Sequence, residues 1–418
     1  MIPTTVYPEP IEVQGIFTCK DICRAVQKLK PYKVPRLNGI PNIVLQMCIN
    51  SIINHLFYIF QAILKLDMYP SRWLSILMIV LRKPGKATYN IAKVYRPIGL
   101  LKMISKLFLT LIAVDLFYIT EKHGLLPPTQ FGGRPGRCTT NTRHLVVTKV
   151  KDAWRVGKVT SVLFLDIQVT LTNTVKAHLL HNMKSRHVPT QYIQLFDKML
   201  TGCKTWLHFD DYISEPILIM NGTMQGCPLL MLLYAYYNVN LINIAKGKCE
   251  LSTGFVDDCA FVAVADTLDK AHAILKDMME HTGGGLDWSH NHNSPFELSK
   301  LAVMDFARTP HDLAVSHLQI DKHNSNGTIT SHTVPPTDAY KYLSIVFDPK
   351  LTWRAHITKV VANVSHWSRQ LGRLSRVSSG LSPSKLHQLY ITVTVPAFMY
   401  TPNVWYILPF KFTHSHNT

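Results

Sequence analysis

Residues 251–264 read LSTGFVDDCAFVAV, and the adjacent carboxylates Asp257 and Asp258 at their centre decide how the rest of the chain is understood. Short apolar runs flank the pair on both sides, the pattern of buried strands joined by a tight turn. The pair therefore stands at or beside a hairpin apex, at the edge of a core. Two like charges side by side raise each other's pKa and resist ionising together. A divalent cation removes that penalty, because Mg²⁺ takes hard oxygen ligands from protein. Asp is also a common turn residue, so the dipeptide alone leaves a metal role and a plain turn both open.

Working outward, VTSVLFLDI (159–167) is a second continuous apolar run, with Asp166 near its C-terminal end, roughly ninety residues before the hairpin. Strand ends bring distant carboxylates to one rim of a sheet. Three acids there can hold two Mg²⁺, one for an attacking hydroxyl and one for a leaving pyrophosphate.

The composition narrows the partners. At 418 residues the chain holds two to three domains' worth of core, and 47% apolar residues is a globular composition. Lys and Arg number 44 against 26 acids, a formal charge of +18, which suggests a polyanionic partner, nucleic acid or an anionic membrane. The basic residues are spread along the chain, as a broad charged surface or channel requires. Eight scattered cysteines, with only Cys19 and Cys23 close together, are expected as reduced thiols in an intracellular protein. Residues 1–15 carry no basic and apolar segments of a signal peptide. Residues 226–245 are uncharged and long enough to span a bilayer, but Asn238, Asn240 and Asn243 would be costly there. A long helix buried in a soluble domain is expected instead, with no membrane partner.

Apolar periodicity predicts helices from 18 to 29, from 43 to 66, up to 120, from 139 to 155, two between 167 and 200, and at 266–281, 353–374 and 382–394. Strands are expected over 71–85 and 302–308, and a hairpin over 204–220. Residues 124–140 are a Gly/Pro loop bearing Arg134 and Arg137.

Eight stretches then occur in one order: KVYRPIGLLKMISKLF (93–108), QFGGRPGRCTTNTRHLVV (130–147), SVLFLDI (161–167), NGTMQGCPL (221–229), GFVDD (254–258), FELSK (296–300), KYLSIVFDPKLTWRAHI (341–357) and LYITVTVPAFMYTPNVW (389–405). Together they resemble the reverse transcriptase of non-LTR, LINE-like retrotransposons, particularly those of fungal genomes, as a truncated and diverged copy. The resemblance implies an α/β (α+β) right-hand polymerase fold with fingers, an antiparallel-sheet palm and a helical thumb. The expected division is an N-terminal extension with the first part of the fingers (1–78), fingers and palm (79–347), and a thumb-like region (348–418). It implies RNA-directed DNA synthesis from dNTPs on a DNA primer and an RNA template, with Mg²⁺ or Mn²⁺, in the nucleus or cytoplasm.

By that resemblance Asp166, Asp257 and Asp258 are the metal ligands, and Lys300 is the general acid for pyrophosphate. Strand neighbours face opposite sides, so Asp257 is expected to face Asp166, with Asp258 more peripheral. Lys83, Arg96, Leu171, Gln225 and Gly226 fall at nucleotide-binding positions; Arg134 and Arg137 suit template or primer phosphates. Leu171 stands where the family has an aromatic under the sugar, and Met224, Cys227 and Leu230 replace Pro, Ser and Ser in NGTMQGCPL. A relic that binds nucleic acid without extending it is the rival expectation.

Overall fold

In the computed structural model the described residues are 6–13, 15–32, 40–168, 173–222, 226–308, 317–323, 329–375, 379–400 and 402–406. Leu171, Met224 and Gln225 lie outside them.

The chain begins with α1 (Cys19–Gln27), where the Thr18 hydroxyl accepts from Asp21 N and the Asp21 carboxylate accepts from the Thr18 backbone, a reciprocal cap. There follow α2 (Asn42–Lys65), β1 (Ser75–Arg82), β2 (Tyr95–Leu100), α3 (Met103–Lys122), α4 (Thr139–Arg155) and β3 (Val159–Asp166). The middle comprises α5 (Lys176–Lys184), α6 (Thr190–Met199), β4 (Lys204–Phe209), β5 (Tyr212–Ile213), β6 (Ile217–Leu218), α7 (Leu230–Tyr237) and α8 (Val239–Ile242). Then come β7 (Glu250–Phe255), β8 (Asp258–Ala265), α9 (Leu268–Glu280), α10 (Gly285–Asn291), β9 (Ala302–Phe306), β10 (Leu318–His323) and β11 (Ile329–Val334). The last described elements are β12 (Tyr340–Tyr342), β13 (Ile345–Phe347), α11 (Arg354–Leu374), α12 (Pro383–Leu389), α13 (Val395–Phe398) and α14 (Pro402–Trp405).

The apolar run of β3 has no alternation because both of its faces are covered. It lies inside an antiparallel sheet of order β7-β8-β3-β9. Leu163, Leu165, Cys259 and Phe261 join Ala271, Leu275 and Met279 of α9 in one core. Val162, Phe164, Ala260 and Val262 join Val146 and Val150 of α4, with Tyr342, Phe347 and Trp353, in the other. This is the antiparallel palm sheet expected from sequence, and it sets Asp166 and Asp258 on the face shared by Phe164 and Ala260. A second sheet has the order β2-β1-β4-β5, with β6 also on β4; β1 pairs antiparallel with β2 and parallel with β4.

The expected long helix over 226–245 is two short ones, α7 and α8, parted at Asn238, and nearly all of their residues are buried. Two other helices, α2 and α3, are long and apolar enough to cross a membrane by length and composition. Of these, α3 is mostly core through Leu107, Phe108, Leu111, Ile112 and Leu116, whereas α2 leaves Val44, Met47, Tyr58 and Ile59 exposed.

Candidate active site

The two acids occupy a two-residue hairpin. Phe255 pairs with Asp258, so Val256 and Asp257 form the loop between β7 and β8. Val256 takes φ +61°, a left-handed conformation that hairpins reserve for Gly or Asn and that a β-branched residue adopts at a cost. The neighbouring loop holds it there. The backbone of Gly132 lies so close that a Cβ would come within 2.3 Å of Val256 N. Phe131 N donates to Gly254 O at 2.9 Å, and the Asn238 amide donates to Val256 O at 2.8 Å.

Across the sheet Asp166 is paired in register with Asp258. The expected facing is thus reversed: Asp258, the first residue of β8, opposes Asp166, and Asp257 stands at the apex. The period-two rule applies to the strand, and Asp257 lies outside it, in the turn. Both hairpin acids keep contact with solvent. Even so, desolvation by the surrounding protein, with the Asp257 and Asp166 charges, pushes the Asp258 carboxyl up to about 6. Desolvation and then Asp166 raise Asp257 in the same way. Beneath them Tyr340 stacks on Phe164 with ring centres 4.4 Å apart, and burial plus the Asp258 and Asp166 charges push its phenol up to about 12. An open cleft of about 550 Å³ runs past Asp257 and Asp258, walled by Thr139, Met231, Lys341, Ser344 and Tyr400.

The segment before β9 returns to the same rim. Glu297 N donates to Asp166 O at 2.9 Å, and a 3-10 turn over Leu298–Lys300 delivers Lys300 Nζ to Asp166 Oδ2 at 2.7 Å. That contact raises the Lys300 pKa. Lys93, at the base of β2, forms a 3.1 Å ion pair with Glu297 and so ties the second sheet to the acidic rim. Among the described residues no three Asp, Glu, His or Cys side chains form a ready metal cage. Asp166 has the Lys300 ammonium against it. The donors gathered at the rim are carboxylate oxygens, the chemistry of a hard divalent ion.

The remaining sequence-derived positions divide. Gly226, at φ +107°, abuts the Gly99 carbonyl, which a Cβ would meet at 2.5 Å; it lets α7 approach β2. Arg96 is exposed on β2, opposite Leu81, and Lys83 Nζ donates to Lys93 O at 2.7 Å. Arg134 is a correction. Its side chain is 2% exposed, with Nε and an Nη 2.6 and 2.9 Å from the Glu121 carboxylate, and it also donates to Pro127 O and Gln130 O. A guanidinium spent in this way is unavailable to a phosphate. Arg137 donates to Pro128 O at 2.6 Å and lies over the Phe131 ring, partly withdrawn into the same loop. Cys227 is buried in the helical core, where its thiol packs. Asn238, Gln130 and Glu297 were not singled out from sequence as site residues; for Asn238 the available signal was that it is the first of three amides inside an apolar run.

A protein-family comparison matches residues 81–344, more than half of the chain, to the reverse transcriptase (RNA-dependent DNA polymerase) domain. The chain belongs to the reverse transcriptase family. Its relatives include a probable RNA-directed DNA polymerase from transposon X-element of Drosophila melanogaster, 27% identical over 92% of this chain and 41% of that protein. The RNA-directed DNA polymerase from mobile element jockey of Drosophila funebris is 26% identical over 93% of this chain and 41% of its own length. One from transposon BS of Drosophila melanogaster is 24% identical over 95% of this chain and 42% of its own length. This reverse transcriptase chain thus spans about two fifths of these relatives. The family uses divalent metal ions in general, and its right-hand fold is the one described above.

Proposed function

We propose that this chain performs RNA-directed DNA synthesis for a non-LTR retrotransposon, extending a DNA primer on an RNA template with dNTPs. The observation that carries this reading is the register of Asp166 against Asp258, with Asp257 at the adjoining apex and Lys300 on the same rim. Asp166, Asp257 and Asp258 would hold two Mg²⁺, or Mn²⁺, which lower the charge cost of the 3′-hydroxyl attack and of pyrophosphate departure. The protein's own part is placement: β3 and the hairpin fix the carboxylates, while Lys300 exchanges Asp166 for the departing phosphate and offers it a proton. Arg96 lies on the adjoining sheet and Lys83 directly follows its strand β1, within the segment that Lys93 ties to the rim, and both suit the triphosphate. The finer assignment to elements of fungal genomes rests on sequence resemblance alone.

Primer extension on an RNA template tests the proposal, with Asp257→Asn as control. Extension in Mg²⁺ or Mn²⁺ that the control abolishes is the expected result. Hybrid binding with no extension above the control would overturn the enzyme reading and leave the binding-only relic.

A further inference from the structure

The carboxylates stand on a turn whose backbone conformation does not suit its own residue, and the support for that turn comes from elsewhere in the chain. Donor and acceptor chemistry fixes how. The Ala235 carbonyl can only accept, so the Gln130 atom 2.8 Å from it is Nε2. The same Nε2 lies 2.5 Å from the Asn238 side chain, which must present Oδ1 to it. Asn238 Nδ2 is thereby turned toward the hairpin and donates to Val256 O at 2.8 Å. Both amides are buried, Gln130 to 1% and Asn238 to 0% exposure. Among the described residues Gln130 Oε1 has no hydrogen-bond partner, so what this side chain contributes here is its donors.

We infer that Gln130 and Asn238 form a positioning relay that fixes the hairpin and so sets where Asp257 and Asp258 present their carboxylates to metal. Val256 O is the carbonyl between the strained residue and Asp257, so a bond there restrains the peptide that leads into the acid pair. The relay starts in the loop that also packs Gly132 against Val256 N, and the junction between α7 and α8 supplies its middle member. Neither amide touches reacting atoms. The inference rests on the polymerase reading for what the carboxylates do, and on geometry alone for what holds them.

The test compares the full chain with Asn238→Leu, Gln130→Met and a control, Asn182→Leu. Asn182 is also buried, and it donates to Tyr236 O and Tyr237 O at the end of α7 instead of to the hairpin. Amide hydrogen exchange over 254–258 is read without metal, and Mn²⁺ affinity is read by paramagnetic resonance. Asn238→Leu should speed exchange at the hairpin about tenfold relative to β3. It should weaken Mn²⁺ binding about tenfold, in the range found for residues that orient metal ligands. Gln130→Met should move both in the same direction by less, and Asn182→Leu should move neither. Hairpin exchange and Mn²⁺ affinity unchanged in Asn238→Leu would overturn the relay, as would Asn182→Leu reproducing both effects. Should Asn238→Leu fail to fold, Gln130→Met, which keeps the side-chain volume, carries the same comparison. If wild type and Asp257→Asn bind Mn²⁺ alike, the polymerase reading fails, while the exchange data still decide the relay.

Discussion

Arg134 and Lys300 show how far a residue's type leaves its task open. Arg134 is internal, bound to Glu121 and two carbonyls. Arg134→Met should therefore cost about 2–3 kcal/mol in urea unfolding, since it leaves a partly buried carboxylate with only the longer 3.8 Å contact to Arg137. It should leave the salt dependence of hybrid binding unchanged. Lys300 is a cation already seated on a proposed metal ligand. Lys300→Met should raise Mn²⁺ affinity several-fold by removing that competitor, yet slow single-turnover extension about 100-fold. Asp258 carries a pH signature. Its folded pKa of about 6 lies above the unfolded value near 4, so the fold binds more protons between them. Metal-free stability should fall as pH rises from 4 to 6 and level off above it. Asp258→Asn should remove on the order of 1 kcal/mol of that slope, discounted because the carboxylate stays wetted. Thermal melts in chelator across that range check it.

At the scale of elements, β3 and β8 were readable because each is a short apolar run with a carboxylate at one end. The order of the sheet's strands was not, since β9, which flanks β3, comes from more than a hundred residues later. Residues 226–245 misled for a related reason. A run of apolar residues fits one long helix or two short buried ones, and the break falls at Asn238, whose amide donates to Val256 O. Where α7 meets β2, Gly226 faces the Gly99 carbonyl. Gly226→Ala should lower the melting point by several degrees, as expected for about 2 kcal/mol, because positive φ and backbone contact leave a methyl no room. Nucleotide affinity should fall with it.

For the whole molecule, the +18 charge predicts a dominant electrostatic share in binding a hybrid. Affinity should drop about a thousandfold between 50 and 200 mM salt, measured by anisotropy, if about six phosphates are neutralised. The sequence by itself determined the family, the sheet-borne carboxylates and the net positive charge, because apolar runs, ordered motifs and charge are properties of the chain as written. It could not assign which acid opposes Asp166, the internal duty of Arg134, the Lys300 contact or the Gln130–Asn238 support. Those depend on strand register and on which buried donors meet which acceptors. Both are settled only when segments distant in sequence pack against one another.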